Sequence, residues 1–158
     1  MTIVSDTTPL ISLIKINRLD LLEKLFHEVL IPEAVYRELT TNQSFALEAE
    51  EVKKAPFLKV SPVQNKQSIQ ILQAVSGLDD GESEAIVLAG EKLSDVLIID
   101  ERRGRKVAQQ LGISITFTPC FLRVSLVTKF LSYTITTPGL TQRVFTPSLH
   151  CSLSAAIL

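Results

Sequence analysis

The chain alternates between short aliphatic or β-branched runs and stretches whose apolar residues recur every three or four positions. Thr2-Ile3-Val4-Ser5 reads as a strand, and Asp6-Thr7-Thr8-Pro9 closes it and leads into a helix, with Pro9 near the first helical position. Leu10, Ile11, Leu13 and Ile14 give that helix an apolar face. Leu21, Leu22 and Leu25 predict a second helix over 19–26. Glu28-Val29-Leu30-Ile31 is the next strand pattern. Pro32 fits the first turn of a helix over 33–39 that buries Ala34, Val35 and Leu39 and turns Arg37 and Glu38 elsewhere. A charged helix over 46–55, a strand over 57–60 and a helix over 64–75 with Ile69, Ile71 and Leu72 follow.

Asp79 with Glu82 three positions later is a capping-box-like helix start, and Ala85, Ile86, Leu88 and Ala89 continue that helix to about Lys92. Val96-Leu97-Ile98-Ile99 is a continuous apolar run ending at Asp100, the pattern of a strand buried on both faces of a parallel sheet. A helix over 102–111, ended by Gly112, and a strand over 113–116 complete the alternation. The expected fold class is therefore α/β, a three-layer sandwich with a central parallel sheet. No internal repeat is present. After Thr116 the pattern fades, because Ser and Thr make up 14 of the 46 residues from Ile113 and prolines recur at 119, 138 and 147. In that region 122–131 alone keeps a helix-like pattern.

Composition adds bounds. With 158 residues, 46% apolar and 21% charged, the chain matches one soluble domain with a real core, and disorder, collagen and a disulfide-dense scaffold are excluded. Cys120 and Cys151 are too few for a structural zinc site, no signal peptide is apparent, and a reducing cytoplasm is expected. The greasiest late stretch, 117–133, is broken by Arg123 and Lys129, so no membrane span is expected. The net charge of −1 hides an asymmetry: all 17 acids lie at or before Glu101, so residues 1–112 carry 13 − 17 = −4 and residues 113–158 carry 3 − 0 = +3.

Four acids stand where an open α/β sheet gathers ligands, beyond the carboxyl ends of its strands. Asp6 follows the first strand, Glu38 lies in the helix after the second, Glu82 is in the first turn of the helix that Asp79 opens, and Asp100 ends the most buried strand. Clustered carboxylates repel one another unless protonated or bridged by a cation, and an all-oxygen set suits Mg²⁺ or Mn²⁺. Taken singly, each acid also has a bland role. Asp6 is placed to cap a helix, Asp79 and Glu82 to form only a capping box, Asp100 to serve a turn, and Glu38 to face solvent. Arg102, Arg103, Arg105 and Lys106 follow the fourth acid and read equally as RNA-phosphate contacts or as a solvated helix face. His27 and His150 stand alone and take no catalytic role.

Four blocks in order carry a resemblance: 3–11 (IVSDTTPLI), 29–39 (VLIPEAVYREL), 78–86 (LDDGESEAI) and 97–105 (LIIDERRGR). Together they resemble the PIN-domain family, and within it the VapC-like branch of prokaryotic toxin-type proteins, over about residues 1–116. The resemblance implies the same sandwich fold and a Mg²⁺- or Mn²⁺-dependent ribonuclease inhibited by a cognate antitoxin. Position by position it makes Asp6, Glu38, Glu82 and Asp100 the metal-binding and catalytic acids. Asp79 rivals Glu82 for the third place, and Asp80 and Glu84 are weaker candidates. Thr7 is placed to bond a metal water, a phosphate or the local helix end. The family's usual dimer is a further expectation.

The family pattern continues with a glycine-threonine turn and a helix rich in Lys, Glu and Leu, where this chain has Phe117-Thr118-Pro119-Cys120-Phe121. Residues 117–158 are thus expected to be an atypical tail behind a body of 1–116. A frame change in the coding region near this point is the expected origin of the acid-free Ser/Thr/Pro-rich tail, with genuine divergence as the alternative, and reading the gene's other frames downstream decides between them. Two further functions stand beside the ribonuclease: a catalytically impaired remnant or antitoxin-binding module that keeps the fold, and a receiver-like phosphate-handling domain. The last needs a late Lys on a supporting strand, and the tail offers only Lys129.

Overall fold

The computed structural model describes residues 1–120 and Leu122. Five strands form one parallel sheet: β1 (Ile3–Ser5), β2 (Val29–Pro32), β3 (Leu58–Ser61), β4 (Val96–Ile98) and β5 (Ile115–Thr116), in the order β3-β2-β1-β4-β5. Between them run α1 (Thr7–Lys15), α2 (Asp20–Phe26), α3 (Glu33–Thr41), a 3₁₀ turn (Gln43–Phe45), α4 (Ala46–Lys54), α5 (Lys66–Ser76), α6 (Asp80–Glu91) and α7 (Arg102–Gln110). The expected three-layer α/β sandwich is present.

Strand alternation builds the layers, because successive side chains of a strand point to opposite faces. Ile3, Val29, Ile31 and Ile98 join Leu10, Leu13, Leu22, Val35 and Leu39 on one face, under α1 to α4. Val4, Leu97 and Ile99 join Ile69, Ile86, Leu88 and Ala108 on the other, under α5 to α7. Both faces are covered, which is why β4 is apolar without interruption. Leu122 packs against the first of these clusters, so the described body extends past Thr116. Elsewhere the helical faces hold with small shifts. Phe26 rather than Leu25 closes α2, and Ile71 of α5 points to solvent while Ile69 is buried. The expected helix over 122–131 and residues His150 and Cys151 lie outside the described residues, apart from Leu122 itself. No helix among the described residues is long and apolar enough to cross a membrane.

The strand order reverses between β1 and β4. The chain leaves β1 toward β2 and β3 on one side, then crosses back through α5 and α6 to place β4 on the other. The carboxyl ends of β1 and β4 are tied directly by the Asp6 amide donating to the Ile98 carbonyl at 3.0 Å. This reversal opens a crevice at the strand ends.

Two glycines separate packing from propensity. A Cβ on Gly104 of α7 would lie 2.4 Å from Ile99 Cδ1, while one on Gly90 of α6 meets nothing within 4 Å. Gly90→Ala is expected to stabilise by up to about 1 kcal/mol through helix propensity. Gly104→Ala is expected to destabilise by about 1–3 kcal/mol despite the same propensity gain, because Ile99 must leave its place in a filled core. Urea denaturation of the two variants checks this, and a Gly104→Ala variant as stable as Gly90→Ala would contradict the packing.

Candidate functional site

At the strand reversal lies a cleft of about 360 Å³ whose walls carry Asp6, Glu38, Asp79, Glu82 and Glu101, together with Thr7 and Arg103. The five acids arrive from four places in the chain, Asp79 and Glu82 together at the start of α6. Asp6 is the first residue after β1 and stands at the head of α1, yet its side chain makes no capping bond to that helix. Glu38 is carried by α3 and is fixed by the Thr7 hydroxyl, which donates to Glu38 Oε2 at 2.7 Å. Thr7 therefore orients an acid instead of capping its own helix.

The start of α6 supplies the third group. Asp79 Oδ1 accepts from the Glu82 amide at 2.8 Å, and Glu82 Oε2 accepts from the Asp79 amide at 3.2 Å, so the capping box is complete. Both acids also face the cleft, which joins two roles that the sequence left as alternatives. The capping bonds use one oxygen of Glu82. The other, Oε1, is buried with no hydrogen-bond partner, and burying a charge without a partner is costly. Two glycines show how closely the acids are packed. A Cβ on Gly81 would stand 3.3–3.4 Å from Thr7 Oγ1, Asp6 Oδ1 and Glu38 Oε2, and one on Gly104 would stand 3.1 Å from Glu82 Oε1.

Electrostatics follow from this crowding. Burial pushes the Asp6 carboxyl from 3.8 up to about 7, the charges of Asp79, Glu82 and Glu38 push the same way, and the Thr7 amide pulls back without offsetting them. The Glu82 carboxyl is raised as well, first by burial, then by Asp79 and Glu101, with the Asp79 amide and Arg103 acting against. Without a cation these groups hold their charge only at a cost.

Two expected residues are placed differently. Asp100 does not line the cleft: its Oδ1 accepts from the Thr118 amide and its Oδ2 from the Thr118 hydroxyl, both at 2.7 Å. The reason is a contact 18 residues away in sequence, since the chain after β5 returns beside the end of β4 and offers both donors to this acid. Glu101, the next residue and the one preceding α7, lines the cleft in its stead. Its position beside Asp100 was the available sequence signal. Glu84, a weaker candidate, is engaged structurally: Oε2 accepts from the Ala34 amide at the head of α3 at 2.9 Å, and Oε1 lies 3.8 Å from Lys66 Nζ. Asp80 pairs at long range with Arg37, 3.9 Å apart.

The basic run divides. Arg103 lines the cleft and donates to the Gly77 carbonyl at 3.0 Å. Arg105 donates to the Asp100 carbonyl and lies 5.1 Å over the Phe117 ring, so it braces the same segment that Thr118 holds. Arg102 and Lys106 are exposed on α7. Gly81 was also missed from sequence, although a glycine inside a capping box is a poor helix residue and signals close approach.

A family model described as PIN domain matches residues 2–131, continuing past Thr116. No curated protein matches the chain. PIN domains generally use divalent metal ions. The donor set here, all oxygen with one orphaned buried carboxylate oxygen, fits a hard divalent cation. Among the described residues no group of three or more acids, histidines or cysteines is placed to hold a metal ion together, so in this arrangement an ion would be held by one or two carboxylates with water completing its shell, a mode open to Mg²⁺.

The Asp6 shift fixes a pH dependence. Between pH 4 and 7 the unfolded chain releases a proton that the fold retains, so this group makes the metal-free protein less stable as pH rises through that window, and the full penalty persists above 7. Asp6→Asn removes it. In EDTA the variant is expected to gain at least about 1 kcal/mol on wild type at pH 8 relative to pH 4.5, or roughly 2–4 °C in Tm. An equal difference at both pH values would contradict the burial of a strained carboxylate.

Proposed function

Because the chain belongs to the PIN-domain family, whose fold points to nuclease chemistry, we propose that it is a metal-dependent endoribonuclease of the VapC-like toxin type. In this reading it cleaves RNA phosphodiesters at a carboxylate-held Mg²⁺ or Mn²⁺ and is restrained by a cognate antitoxin. The observation that carries this reading is the buried, unpartnered Glu82 Oε1 in one cleft with an Asp6 carboxyl pushed up to about 7. Such a site is incomplete without a cation.

Asp6, Glu38 and Glu82 are the proposed ligands, with Asp79 beside Glu82 as the rival third. The fourth place falls to Glu101 in this geometry, while Asp100 positions the chain at Thr118. A bound divalent ion would supply acidification of a water and neutralisation of charge at the phosphodiester. Thr7 sets the angle of Glu38 by its 2.7 Å bond. The Asp79 amide fixes Glu82 through Oε2, while Oε1 stays buried beside Gly104 without a hydrogen-bond partner. Arg103, at the cleft wall, offers its guanidinium to a backbone phosphate, and Arg102, Arg105 and Lys106 lie along the same helix as weaker contacts. Residues 1–116 are the core of the proposed nuclease body, and because the family match runs on to 131, the proposed frame change behind the acid-free tail falls after that match and not at 117. A homodimer is a further part of the reading.

A second reading, an impaired remnant that keeps an antitoxin-binding surface, is favoured by one observation: Thr118 occupies both oxygens of Asp100. Incubation with a mixed RNA panel distinguishes the two. Cleavage is expected in Mg²⁺ or Mn²⁺ and not in EDTA, with at least about a 100-fold loss in the Asp6→Asn plus Glu82→Gln variant. No cleavage by wild type would leave the remnant reading, and equal cleavage by the variant would remove these carboxylates from the chemistry.

A further inference from the structure

A second cleft of about 410 Å³ adjoins the first. One wall is the Ala34, Arg37, Glu38 and Thr41 face of α3, residues spaced by three and four positions and hence stacked on one side of the helix; the other is Asp80 and Gly81 at the head of α6. Glu38 and Asp79 border both clefts. Gly81 marks the seam, since its Cα faces Asp6, Thr7 and Glu38 where a side chain would intrude. The two clefts therefore share Glu38 and Asp79 as a common border, closely packed at Gly81.

A groove walled by acids repels a phosphate backbone unless cations flank it. Each cleft has one such group: Arg103 in the first and Arg37 in the second. Arg37 is poorly committed. Its guanidinium lies 3.9 Å from Asp80 Oδ2, beyond hydrogen-bond distance, and both side chains are exposed, 62% and 74%. An exposed pair of this kind contributes little. Asp80 Oδ1 meanwhile accepts from Gln73 Nε2 at 2.7 Å, so Asp80 keeps a partner when Arg37 leaves. A phosphate offers that guanidinium a paired, charge-assisted contact in exchange.

We propose that an RNA strand runs through both clefts and that Arg37 grips a backbone phosphate on the opposite side of Glu38 from Arg103. Asp80, 3.9 Å from Arg37, is the weak partner that Arg37 exchanges for that phosphate. The inference rests on the nuclease reading and extends it by naming the strand's path and a binding residue outside the metal site.

Fluorescence anisotropy with a labelled single-stranded RNA, in Ca²⁺ over a sodium chloride series, tests it. Arg37→Gln is expected to weaken binding about 3- to 10-fold and to lower the slope of log K against log salt by about 0.7, the loss of one phosphate contact on a single strand. Lys92→Gln, exposed at the end of α6 away from both clefts, is expected to leave both unchanged. Asp80→Asn is expected to tighten binding about two-fold with Arg37 present and to have less effect in the Arg37→Gln background, a coupling that a merely structural role would not produce. An unchanged slope in Arg37→Gln, with wild type still cleaving RNA in Mn²⁺, overturns the groove and leaves the nuclease. A wild type that neither binds nor cleaves RNA overturns both.

Discussion

Carboxylates cannot be gathered out of water without something to hold their charge, and this constraint shapes the part of the molecule that is not ordinary core. Asp6 and Glu82 are both buried at the point where strand order reverses, and their charges add to those of Glu38 and Asp79. Around them the fold spends its specific features. The capping box fixes Asp79 and Glu82 to each other's amides, Thr7 turns its hydroxyl to Glu38, and glycines at 81 and 104 remove the two Cβ atoms that would crowd the acids. A purely structural helix start needs the capping box but none of the rest. The arrangement is consistent with a cation-binding cleft, where Coulomb attraction replaces the missing hydrogen bonds.

Much of the architecture was legible because it is periodic. Runs such as Val96–Ile99 can lie only between two covering layers, and Asp79 with Glu82 announces a helix start by itself. The side-chain network was less legible, because it depends on which oxygens are already taken. Asp100 reads as a cleft acid from its place after β4, yet Thr118, 18 positions on, supplies two donors and engages it. Glu101 takes the cleft position by standing one residue later. Glu84 looks like a neighbour of the site and instead closes the amide end of α3 across 50 residues. Such choices are made by contacts distant in sequence, which spacing does not record.

The segment after β5 bears on the site through the same contacts. Phe117 lies under Arg105, Thr118 holds Asp100, and Leu122 reaches the cluster beneath α1 to α4. The chain beyond Thr116 is therefore tied to the body at three points, and the family match continues through them to residue 131. This segment anchors the end of β4 and, with it, the residues that enter the cleft from that strand.

The central claim is that the acidic cleft is completed by a divalent cation that its crowded carboxylates must deprotonate to receive. Calorimetric titration of Mn²⁺ into the metal-free protein at pH 6.5, repeated in buffers of different ionisation enthalpy, tests this directly. The account predicts saturable binding with net proton release that falls in Asp6→Asn. Binding without proton release, or no binding in a folded protein, would contradict it.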